Sequence, residues 1–139
     1  MKKTPTGQEA PTPEPKPTES SVNWAGHEFV RTIGHNTGRL QMRWLRSGST
    51  LTIQALRYWF TRVNNRNKAN INISVKANAA GEYKLNSPDS MEQKGVWLPW
   101  DTNGSLAVGN STHITVAVTF IPDTGGPDDR GTDTQTFTI

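Results

Sequence analysis

Strict alternation between apolar and polar residues sets the strongest limit on what this chain can become. Ile71, Ile73 and Val75 alternate with Asn70, Asn72, Ser74 and Lys76, and Ile114, Val116, Val118 and Phe120 alternate with His113, Thr115, Ala117 and Thr119. Leu40, Met42 and Trp44 alternate with Gln41 and Arg43, and Phe137 and Ile139 with Thr136 and Thr138. A period of two places one set on a buried face and the other toward water, which is the pattern of half-buried antiparallel strands. Weaker strand patterns cover Glu28–Ile33, Gly81–Leu85, Gly95–Pro99 and Ser105–Val108. Eight or nine short strands predict an all-β antiparallel β-sandwich, jelly-roll-like, over residues 22–139. Its expected core holds Leu40, Met42, Ile53, Ile71, Ile73, Val75, Ile114, Val116, Val118, Phe120 and Phe137. Asn103-Gly104 reads as a hairpin turn.

One stretch breaks the alternation. In Leu51–Val63, the residues Ile53, Leu56, Phe60 and Val63 fall at helical spacing. Read as a strand, Leu51, Ile53 and Ala55 share one face and Leu56, Tyr58 and Phe60 the other. The β-branched and aromatic content favours a long strand with a bulge near Ala55.

Residues 1–21 differ in kind. Between Thr4 and Ser21 lie five of the nine prolines and no large apolar residue. Proline removes backbone donors and fixes φ, so this stretch is expected to be an extended Pro/Thr-rich arm or linker. Met1-Lys2-Lys3 is followed by no apolar run, so a secretory signal is not expected there. No run of 18 apolar residues occurs, so no membrane-spanning helix is expected.

Only 32% of the 139 residues are hydrophobic and mean hydropathy is −0.66, so the core must be thin. The chain has no cysteine, which removes disulfides, thiolate metal sites and cysteine nucleophiles. The net charge of +3 conceals a division along the sequence. Residues 22–80 carry nine cations against Glu28 alone, whereas residues 81–139 carry Lys84, Lys94 and Arg130 against eight acids. That split fits a polyanion partner for the middle segment, or subunits that meet basic face to acidic face; interleaved strands would instead mix the charges.

The densest mixture of aromatic and cationic residues runs from Arg57 to Lys68, Arg-Tyr-Trp-Phe-Thr-Arg-Val-Asn-Asn-Arg-Asn-Lys. Rings stack on bases and cations neutralise phosphates, which makes Arg57, Arg62, Arg66 and Lys68 the candidate nucleic-acid contacts or basic interface. A core strand ending in a basic turn explains the same residues. Asp123, Asp128, Asp129 and Asp133 share a Gly-rich loop, a candidate acidic interface or calcium site, although turn chemistry alone also explains them. Trp97 and Trp100 offer a candidate aromatic platform for sugar rings, against the reading that all five tryptophans fill the core. His27, His35 and His113 match no metal-ligand spacing, and no metal site or catalytic residue is assigned. Glu28, Glu82, Asp89, Glu92 and Asp101 have no sequence spacing that pairs them for sugar hydrolysis, and no nucleophile elbow is present. The chain is therefore expected not to be an enzyme, and no cofactor is implied beyond the calcium reading.

An aromatic strand closing on an Arg/Asn-rich turn, mid-chain in a Thr-rich β-domain behind an N-terminal arm, resembles the layout of small single-jelly-roll virus coat proteins. The resemblance implies a virion subunit that assembles with copies of itself. Coat proteins that package RNA have Arg/Lys-rich arms, whereas Lys2, Lys3 and Lys16 are balanced here by Glu9, Glu14 and Glu19. This departure favours a decoration protein, or a coat that meets nucleic acid through its middle segment. The competing expectation is a secreted carbohydrate-binding module tethered by its Pro/Thr linker, with polysaccharide as the partner.

Overall fold

The computed structural model describes residues 23–126 and 129–139, so the expected arm and Asp128 lie outside the described residues. Eight strands follow in order: β1 (Ala25–Ile33), β2 (Asn36–Ser47), β3 (Thr50–Phe60), β4 (Asn70–Ala77), β5 (Glu82–Asn86), β6 (Leu98–Ala107), β7 (His113–Ile121) and β8 (Gly131–Thr138). They form two antiparallel four-stranded sheets, ordered β1-β2-β3-β6 and β5-β4-β7-β8. The chain enters through a β1-β2-β3 meander and passes between sheets at β3→β4, β5→β6 and β6→β7. This is the expected all-β antiparallel sandwich, two four-stranded layers around one core. Among the described residues no helix is long and apolar enough to cross a membrane.

The alternating residues behave as their period dictates. Leu40, Met42, Ile53, Ile71, Ile73, Val75, Ile114, Val116, Val118 and Phe120 are all buried, and Phe137 packs on the same core, partly covered. Phe29, Trp44, Leu51, Phe60 and Val108 join them. Two short hairpins set the register of the first sheet. Gly34-His35 links Ile33 to its partner Asn36, and Gly48-Ser49 links Ser47 to Thr50. Both glycines have positive φ, 62° and 60°, at the first turn position, where a primed turn requires it.

β3 accounts for the ambiguous segment. Gln41 pairs with Arg57 and Met42 with Ala55, so Leu56 is an extra residue relative to β2. Leu51, Ile53 and Ala55 are buried before it, and Tyr58 and Phe60 after it, all on the core side. The bulge inserts one step of three into a period of two. The extra residue, Leu56, is the one that falls at helical spacing from Ile53 and Phe60, and the step corrects the expectation that Leu56, Tyr58 and Phe60 share the face away from Leu51, Ile53 and Ala55.

Asn103-Gly104 is not a turn. Both residues lie inside β6, paired with Gln54 and Ile53. A Cβ on Gly104 would collide with the ring of Tyr83, so the glycine admits an aromatic side chain from the opposite sheet. Gly104→Ala should therefore lower stability by about 1–3 kcal/mol in urea unfolding. The Tyr83→Ala background should recover part of that loss, because the clash partner is gone. Equal losses in the two backgrounds would show that the close approach is not what selects glycine.

Candidate functional site

In β2, the residues that alternate with the buried Leu40, Met42 and Trp44 are Arg39, Gln41 and Arg43, which project outward. The bulge at Leu56 restores the phase of β3, so Arg57 and Trp59 also project outward, opposite Gln41 and Arg39. Glu28 from β1 lies opposite Gln41, and Asn103 from β6 lies opposite Gln54. Trp97, just before β6, and Trp24, just before β1, complete the outer face of the β1-β2-β3-β6 sheet.

The side chains on this face form two hydrogen-bonded groups, one around Glu28, Arg39, Gln41 and Arg57 and one around Arg43, Gln54 and Asn103. The Arg39 guanidinium meets Glu28 Oε2 at 2.7 Å. Gln41 Nε2 donates to Glu28 Oε1 at 3.2 Å, and Arg57 Nε donates to Gln41 Oε1 at 2.7 Å. Arg43 Nε donates to Gln54 Oε1 at 2.6 Å, and Gln54 Nε2 donates to Asn103 Oδ1 at 2.7 Å. Arg39 lies 5.8 Å from the Trp59 ring centre and 4.8 Å from that of Trp97. Arg57 lies 4.5 Å from Trp97, and Arg43 lies 4.2 Å from Trp24. Each such contact is worth about 0.5–1 kcal/mol when exposed, and more once water is excluded. Trp24 Nε1 is buried with no acceptor among the described residues. Val30, an exposed apolar residue, lies across from Arg39, and Val96, another, adjoins Trp97.

The outer face of the other sheet is chemically different. Its rows are Asn72-Thr119-Thr132, Ser74-Ala117-Thr134 and Lys76-Thr115-Thr136, with no aromatic and no arginine.

The sequence-derived candidates separate. Of the basic set, only Arg57 lies on the Trp/Arg face. Arg62 follows β3 and bonds Asn64, while Lys68 is exposed in the same loop. A polar cleft of about 530 Å³ lies there between Arg62, Asn64, Asn65, Asn67, Gln93 and Lys94. The Arg66 guanidinium lies against Gly125, inside the supposedly acidic loop. Buried Gln93 joins the two loops: Nε2 donates to the carbonyls of Arg66 and Asp123, and Oε1 accepts from the Asp123 N–H. The loops of Arg66 and Asp123 thus lie side by side, because Gln93 ties their backbones together. Asp133 bonds the Val30 N–H at 3.0 Å and so links β8 to β1. Asp123 Oδ1 accepts from the Gly125 N–H at 3.3 Å, and Asp129 is exposed. Among the described residues no three His, Cys, Asp or Glu side chains group as metal ligands.

Trp97 and Trp100 do not share a platform. Trp100 packs against the core, while Trp97 lies over outward-facing arginines. The strand period separates residues three apart. Trp59 is the tryptophan that shares a face with Trp97. Arg39, Arg43 and Trp24 were missed, although the Arg39-x-Gln41-x-Arg43 alternation opposite Leu40, Met42 and Trp44 marks two of them.

Partial burial alone pushes the Glu28 carboxyl up. Hydrogen bonds from Arg39 and Gln41, with the charges of Arg39 and Arg57, outweigh it and hold the group below its ordinary value of 4.5. The network therefore adds stability that is complete above the ordinary carboxylate pKa and is lost as pH falls through the folded-state value. Urea midpoints of the native chain should fall between about pH 6 and about pH 3 by more than those of Glu28→Gln. Parallel pH profiles would show that Glu28 is not held by these partners.

Compared with known proteins, the chain matches no family model, no curated protein and no solved structure.

Proposed function

We propose that this chain is a non-enzymatic structural assembly protein, a virion coat or decoration subunit that associates with copies of itself through the outer face of the β1-β2-β3-β6 sheet. One observation carries the reading: three tryptophans and three arginines lie on one sheet face, with Glu28 among them. Tryptophan and arginine dominate the energetic centres of protein interfaces, because a ring or a planar guanidinium covers much area at little entropic cost. The arginines are already braced by Gln41, Gln54 and Glu28, so little ordering remains to be paid when a partner arrives.

Trp59 and Trp97 beside Gln41, Gln54 and Asn103 also have the chemistry of a sugar-binding surface, which keeps the polysaccharide reading as the competitor. Arg39 and Arg57 beside the Trp97 ring favour a partner that carries carboxylates over a neutral sugar. Sedimentation of the full chain decides between them. Self-association should be present at about 0.02 M salt, weaken at about 0.3 M as the charges are screened, and be lost in Trp97→Ala. A strict monomer at both salts, retained on polysaccharide and released by Trp97→Ala, would overturn assembly in favour of carbohydrate binding.

A further inference from the structure

On the assembly reading above, we propose that the occupant of the Trp/Arg face is residues 9–19 of a second copy of this chain. That segment reads Glu-Ala-Pro-Thr-Pro-Glu-Pro-Lys-Pro-Thr-Glu. Four prolines at alternate positions, Pro11 to Pro17, favour a polyproline II strand, which is ordered before binding and docks on aromatic-lined grooves.

The charges of the two surfaces correspond. The segment carries Glu9, Glu14 and Glu19 with Lys16, and the face carries Arg39, Arg43 and Arg57 with Glu28. Three carboxylates and one ammonium thus face three guanidiniums and one carboxylate. Arg43 and Arg57 each use Nε within the sheet, and their outer nitrogens have no partner among the described residues. A carboxylate can take both outer N–H groups of such a fork.

Strand direction bears on which end of the face the chain enters. β1 starts beside Trp24 and Arg43 and runs toward the Arg39 row, with Ala25 opposite Trp44 and Val30 opposite Arg39. Asn23, the first described residue, therefore lies at the end of the face far from Trp59 and Trp97, and the segment of a neighbouring copy can enter from the Trp59 and Trp97 end.

A mixing experiment with full-length chains tests this. One variant carries an altered arm, Glu14→Arg with Glu19→Arg, and the other an altered face, Trp97→Ala, at a residue outside the buried core. Each variant alone should associate roughly tenfold or more weakly than the native chain. An equimolar mixture should recover a one-to-one pair, because the first variant supplies an intact face and the second an intact arm. An arm variant that associates like the native chain would overturn the arm as occupant and leave assembly standing. Two weakened variants that fail to complement one another would also overturn it. A native chain that never associates would overturn both this inference and the assembly reading.

Discussion

The extra residue at Leu56 is the constraint on which the rest of this structure depends. Without a step of three in β3, Tyr58 and Phe60 would leave the core, and Arg57 and Trp59 would turn into it. The bulge lets one long strand bury five side chains, Leu51, Ile53, Ala55, Tyr58 and Phe60, while keeping Trp59 and Arg57 in line with Arg39 and Gln41. Phe60 then meets Phe120 from the opposite sheet, edge to face at 6.1 Å. Close approach is repeated at Gly38, whose missing Cβ leaves room for the Phe120 ring, and at Gly104 beneath Tyr83. A core this thin closes because aromatic rings from one sheet reach the backbone of the other.

The sequence was most legible where alternation was strict. Ile71–Val75 and Ile114–Phe120 bury as their period requires, because a strand with one wet face has a single acceptable register. Leu51–Val63 was harder to read since one inserted residue imitates a helical step. Asn103-Gly104 was misread because the sequence shows a glycine and not its reason, here an aromatic ring from a strand some twenty residues earlier.

The site was legible in part. Arg57 and Trp59 belong to the aromatic-cationic run picked out along the chain, and Trp97 belongs to the aromatic pair. What joins them is pairing between strands, which linear spacing does not encode. Arg39, two strand partners away from β6, meets Trp97 only because β2, β3 and β6 are neighbours. Arg66 and Asp123 show the same limit from the other side. The charge blocks along the sequence left open either separate surfaces or mixing by interleaved elements, and Gln93 holds the loops of Arg66 and Asp123 side by side.

Oxidative footprinting of the tryptophans in the full chain, followed across protein concentration, reads directly whether the Trp/Arg face is covered by a second copy. Trp59 and Trp97 should become protected together as concentration rises, while buried Trp44 stays unreactive and exposed His35 keeps its reactivity. Unchanged reactivity of Trp59 and Trp97 at every concentration would contradict assembly through this face.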